Sequence, residues 1–160
     1  MGVTYGVHPM DQRLRAGLPE YGLADVQYPD GRNPRPTEIH RVLEELSGFK
    51  AEYDPAPAKG HSWSVTIEDA VQPEKGPWAH LRTLHYSSED EFIEIYFEKG
   101  WPDLTVRIVA ALAAICGTLC IVPDTGDAPL VIPAGADAEA LLRTWEHTRP
   151  MSDGDVGDKE

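Results

Sequence analysis

Cysteine is nearly absent from this chain: its 160 residues contain two, Cys116 and Cys120. That is too few for a disulfide framework and fits a reducing compartment. Basic residues are scarce as well, with 14 Lys and Arg against 27 Asp and Glu and a formal charge of −13. Such an excess of one sign predicts no nucleic-acid partner and no anionic membrane surface, and attraction to a basic protein. The longest apolar run, 108–122, is broken by Gly117 and Thr118, and it falls short of the roughly 20 residues a membrane span needs. The opening MGVTYGVHPMDQRLRAG lacks the apolar core of a secretory signal. A cytoplasmic location is therefore expected. Also missing are a Gly-rich phosphate loop, a Gly-x-Ser-x-Gly elbow and a His-Glu-x-x-His pair, so no motif marks an enzyme or calls for a metal or other cofactor.

The chain is long enough to bury one core without staples, and 41% of its residues are apolar. Residues 1–36 carry four acids and four arginines, so the whole negative excess lies in residues 37–160. This first segment is punctuated by Gly and Pro and ends in Tyr28-Pro-Asp-Gly-Arg-Asn-Pro-Arg-Pro36, which is turn and extended chain by its chemistry. It reads as an irregular segment packing on the domain, anchored by Tyr5, Tyr21 and Tyr28, with a short helix around Asp11–Ala16. Residues 37–150 read as the folded domain, and residues 151–160 as a flexible acidic tail.

Within 37–150, Thr37 is placed to cap a helix whose apolar face is Ile39, Val42, Leu43 and Leu46, and Gly48 stops it. In 61–68, Trp63, Val65 and Ile67 alternate with Ser62, Ser64, Thr66 and Glu68, the pattern of a sheet with one face buried and one wet. A second strand is expected over about 79–86. A third, over 91–98, should bury Ile93, Ile95 and Phe97 and turn Phe92, Glu94, Tyr96 and Glu98 the other way. Pro102 and Asp103 open the longest helix, with Leu104, Ile108, Leu112 and Ile115 as its stripe and Gly117 as its end. Two short strands then flank Asp124, and a last helix covers 137–148 with Leu141, Leu142 and Trp145 inward. The expected fold is α+β, in the order α-βββ-α-ββ-α, with a mainly antiparallel sheet and helices packed on one face.

One stretch carries a suggestion of chemistry. In Val122-Pro-Asp-Thr-Gly-Asp-Ala-Pro129, Asp-Thr-Gly after an apolar strand resembles the aspartic-peptidase motif. That resemblance implies a dyad in which Asp124 shares a proton with a second aspartate, here from a second copy. Asp127 after Gly126 would add charge beside the dyad, and Pro123 would stiffen its approach. The same residues suit a hairpin turn, in which Asp accepts local hydrogen bonds and Gly takes positive φ. The turn is the expectation.

Other candidate sites have equally plain readings. Cys116 and Cys120 stand at Cys-x-x-x-Cys across a glycine, without further ligands for zinc, and read as buried thiols. His80 and His85 are five apart on one strand and point to opposite faces. His40 and Glu44 share a helix face, which supplies only two ligands, and His147 near a helix end suits the dipole.

The feature above background is the wet side of the central sheet, where Phe92, Glu94, Tyr96 and Glu98 neighbour Ser64, Thr66 and Glu68. Aromatics interleaved with acids suit a protein interface, in which rings anchor and carboxylates select a basic partner. Alternatively residues 1–36 cover this face and make Phe92 and Tyr96 core. In size, charge and layout the chain resembles the immunity proteins that neutralise basic bacterial nuclease or peptidase toxins. The resemblance implies a non-catalytic inhibitor acting by occlusion and transfers no residue; the expected partner-binding set, Glu68, Phe92, Glu94, Tyr96 and Glu98, comes from the strand alternation alone. Two other readings stay open. One is a small enzyme with a dispersed acid–base site around His40 or His85, and the other is a structural subunit that assembles through a strand edge.

Overall fold

The computed structural model describes residues 3–23, 27–53, 64–83 and 88–145. In these residues seven strands form one sheet with every neighbouring pair antiparallel, ordered β2-β3-β4-β5-β1-β6-β7. The strands are β1 Tyr5–Pro9, β2 Phe49–Tyr53, β3 Ser64–Asp69, β4 Trp78–Thr83, β5 Ile95–Gly100, β6 Leu119–Pro123 and β7 Leu130–Ile132. The helices are α1 Gln12–Gly17, α2 Pro36–Glu44, α3 Pro102–Cys116 and α4 Ala138–Thr144, with a 3-10 turn at Leu18–Tyr21. This is the expected α+β architecture. Among the described residues no helix is long and apolar enough to cross a membrane.

The core forms because strand alternation and helix periodicity present their apolar residues to the same layer. Val65, Ile67, Leu81, Ile95 and Phe97 point inward from β3, β4 and β5, each at most 3% exposed. They meet Leu104, Ile108, Val109 and Leu112 of α3, which are equally buried. Each such side chain contributes about 1.5–3 kcal/mol relative to exposure. α2 and α4 flank α3 on this side of the sheet. Gly117, at φ 91°, ends α3 and lets the chain turn into β6.

The first 36 residues depart from the irregular segment expected of them. Tyr5–Pro9 is an inner strand, paired to β5 on one side and β6 on the other. Tyr5 and Val7 favour a strand while Gly6 and Pro9 oppose one, so pairing and the burial of Tyr5 and Val7 decide its conformation. The short helix does form, and Asp11 caps it by accepting the Leu14 backbone N–H at 2.8 Å. Not all helices lie on one face, because α1 and the 3-10 turn pack on the side opposite α3. There Met10, Leu18 and Cys120 make a second buried cluster with Leu14, Tyr28, Val122 and Val131 around it.

Residues 28–35 then run as a strap across the end of the sheet. Gly31 N–H donates to Met10 at 3.1 Å and Arg32 N–H to Cys116 at 3.0 Å. The approach is close enough to require glycine: a Cβ at Gly31 would lie 2.0 Å from the Thr118 carbonyl oxygen. Arg32 forks onto Glu38 with bonds of 2.9 and 2.8 Å, and Glu38 also accepts the Arg35 backbone N–H at 2.9 Å. Glu38 thereby starts α2. Arg35, not Thr37, occupies the N-cap position, because Pro36 with its fixed φ takes the first helical place.

Two further boundaries move. β2 adds an edge strand in Phe-Lys-Ala-Glu-Tyr, whose signal is weak and whose conformation comes from pairing with β3. α4 stops at Thr144, so Trp145 lies beyond it, buried in extended chain with its ring 5.6 Å from that of Tyr5. Residues 146–160, including His147 and the acidic tail, lie outside the described residues.

Candidate functional site

The face opposite α3 is divided. Over β1, β6 and β7 it is covered by residues 10–23 and Tyr28 through the cluster around Leu18. Over β3, β4 and β5 the side chains of Thr66, Glu68, His80, Arg82, Tyr96 and Glu98 are half-buried, with no described helix packed on them. Neither Phe92 nor Tyr96 is part of the core. Tyr96 belongs to the half that no described helix covers. Ser64, expected on the wet side, is 3% exposed.

Register brings these side chains together. Thr66 pairs with His80 across β3 and β4, and Arg82 pairs with Tyr96 across β4 and β5. Between His80 and Leu81 the β4–β5 ladder slips, so that Leu81 faces Phe97 while His80 faces Lys99. Glu98 is the extra residue of this bulge. A bulge re-aims a side chain, and here the Glu98 carboxylate comes within 3.5 Å of the Arg82 guanidinium and 3.8 Å of His80 Nε2. Thr66 Oγ1 and His80 Nδ1 share a hydrogen bond of 3.1 Å. Hydroxyl, imidazole, carboxylate and guanidinium thus form one chain across three strands. The bulge also keeps Lys99 exposed while Gly100 is buried, in backbone only glycine tolerates: φ is 134° and a Cβ would meet Ala79 Cα at 2.5 Å.

The five residues singled out from sequence do not form one uniform acidic patch. Glu68, Tyr96 and Glu98 share the open face. Glu94 is exposed just before β5 begins, and neither it nor Glu68 has an ion-pair partner among the described residues. Phe92 is 52% exposed but sits beside cations, its ring 4.6 Å from the Arg35 guanidinium carbon and 5.3 Å from that of Arg32. These contacts, with the 2.9 Å bond from Ile93 N–H to Pro34 O, fasten the loop before β5 to the strap. His80 and Arg82 belong to the face as well. The alternation Trp78-Ala-His-Leu-Arg-Thr, half-buried then buried throughout, is the signal that places them.

Asp124 lies in a turn. It is exposed, its N–H donates to Thr4 O at 2.9 Å, and Gly126 takes φ 87°. Thr125 Oγ1 donates to Asp127 at 2.7 Å, closing the loop on itself. The Asp124 carboxylate does act on Tyr5, whose phenol is pushed above its ordinary range by burial first and by Asp124 second. Cys116 and Cys120 are both buried and free, one at the end of α3 in the main core and the other in the cluster across the sheet. Among the described residues no three His, Cys, Asp or Glu side chains could hold a metal ion. His40 packs its ring 4.8 Å from that of Tyr53, at the joint of α2 and β2. His85 lies outside the described residues.

One cavity borders the open face. It encloses about 400 Å³ between α1, the 3-10 turn, the end of β1 and Pro129. Leu14 and Leu18 give it apolar surface, and His8, Asp11, Arg13, Glu20 and Tyr21 stand around it. The chain matches no protein-family model, and no curated protein or solved structure is significantly similar to it.

Proposed function

We propose that this protein is a non-catalytic binder that occludes a basic protein partner with the open half of its sheet. In this reading it acts in the cytoplasm, as an immunity protein does against a basic toxin. The observation that carries the proposal is the row of half-buried polar and aromatic side chains on the inner strands β3, β4 and β5, with no described helix over them. Inner strands form a rigid platform, and a platform whose side chains are already ordered loses little entropy on binding. Tyr96 supplies a ring at its centre, and Glu68 and Glu94 supply carboxylates with no ion-pair partner among the described residues. A net charge of −13 favours encounter with a cation-rich surface.

The enzyme reading gains less support. Thr66, His80 and Glu98 align as hydroxyl, imidazole and carboxylate, but Arg82 also engages Glu98. Assembly through an edge is opposed by charge on β2, where Lys50 and Glu52 are exposed, and by Pro129 and Pro133 on either side of β7. The test is capture from the native host with wild-type protein and with a Glu68→Lys/Glu94→Lys variant of unchanged thermal stability. A basic protein held by the first and lost by the second is the expected result. Equal capture by both would rule the face out.

A further inference from the structure

The geometry points to the 400 Å³ cavity beside α1 as an anchor pocket that receives one arginine side chain of the partner. This inference rests on the binder reading and adds to it the chemistry of a single contact. The cavity is at the small end of the range for ligand sites, which suits one long side chain better than a cofactor. Its surface is arranged by depth. Leu14 is half-buried and Leu18 fully buried, a lining that accepts an aliphatic stem. Tyr21, which also lines the cavity, is 47% exposed, one of three large apolar residues so exposed among the described residues, and offers a ring for a planar cation.

Two carboxylates stand around it, Asp11 and Glu20, against one guanidinium, Arg13. Asp11 uses one oxygen, Oδ1, to cap α1, which leaves Oδ2 to accept from a ligand. A guanidinium has donors enough to satisfy both acids at once, whereas a lysine ammonium engages them as a point charge. Among the described residues no hydrogen bond or ion pair joins two of the side chains around the cavity, so these groups are not already consumed by one another. His8 lies on β1 on the same face as Gly6, and Gly6 pairs with Tyr96. Pocket and open face are therefore continuous. A partner lying across Tyr96 can reach the pocket with one side chain.

The test is an NMR titration with N-acetyl-arginine-N-methylamide, alongside its citrulline analogue, which keeps the shape and loses the charge. The expected result is shift changes centred on Leu14, Leu18 and Tyr21 for the arginine probe only. An Asp11→Asn/Glu20→Gln variant keeps the helix cap and should weaken the probe at least tenfold with unchanged circular dichroism. Equal shifts with citrulline, or arginine shifts elsewhere on the surface, overturn the pocket. The two ideas fail separately. A silent pocket with capture still lost in Glu68→Lys/Glu94→Lys removes only the anchor. An occupied pocket with capture unaffected by that variant removes the sheet-face reading.

Discussion

His80 and Thr66 face each other across neighbouring strands with 3.1 Å between Nδ1 and Oγ1, and the other ring nitrogen of His80 looks toward Glu98. This places an imidazole ring between a hydroxyl and a carboxylate on the half of the sheet that no described helix covers. Glu98 is consequently a shared residue, held by Arg82 as well.

Removing that cation should sharpen the acidic face without harming the fold. In Arg82→Ala the Arg82–Glu98 pair is lost, and pairs at this exposure contribute about 0.2–1 kcal/mol. The expected outcome is a melting temperature changed by only a few degrees, with faster association to a basic partner at low salt. Stopped-flow binding across a salt series reads this, and an unchanged or slower rate contradicts it.

The bulge depends on Gly100. Alanine there would meet Ala79 Cα at 2.5 Å in a backbone at φ 134°. Gly100→Ala should cost about 2 kcal/mol or more, as strained positions do when the wrong residue is imposed. Chemical denaturation measures it. A variant as stable as wild type would mean the ladder can reset its register.

Acid should loosen the strap before it unfolds a protein of this composition generally. The Glu38 carboxyl is held below its ordinary range, chiefly by the Arg32 hydrogen bonds and then by the Arg35 backbone N–H, against the cost of burial. A depressed folded pKa contributes stability that is full above the unfolded value of about 4.3 and is lost as pH falls through the folded value. Arg32→Ala removes that fork and should cost about 1–2 kcal/mol at neutral pH, because the Arg32 side chain is 32% exposed and the Arg35 backbone N–H still serves Glu38. Its stability should also depend less on pH in the acid range than that of wild type, which urea titrations at several pH values would show.

The two thiols should be inert. Burial raises Cys116 to about 11 and Cys120 to about 12, with Asp11 adding to the second. At about pH 8 almost no thiolate exists in the folded protein, so alkylation by iodoacetamide should be at least tenfold slower than in urea. Rapid labelling of the native protein would show that one of the two opens locally.

Asp124→Asn should leave stability within about 0.5 kcal/mol, as expected of an exposed turn position. Gly126→Ala should cost about 1 kcal/mol for its positive φ. A large loss from the asparagine change would restore interest in that carboxylate.

Local pattern determined much of this protein. Alternation in 61–68 and 91–98 named the buried residues Val65, Ile67, Ile95 and Phe97, because a strand has a period of two wherever it lies; Ile93 is buried as well, although β5 begins only at Ile95. Gly117 and the turn at Asp124 were equally legible, since a helix stop and a sharp reversal each demand particular residues. Other features had no local cause. Tyr5–Pro9 is a strand because β5 and β6 leave a slot between them, and Phe49–Tyr53 because β3 has a free edge. The open face drew on both levels: sequence placed Glu68, Tyr96 and Glu98 on one side of their strands. Only strand register, with a one-residue slip at His80, brought Thr66, His80, Glu98 and Arg82 into contact. Hydrogen bonding between distant segments sets that register, and no single segment encodes it.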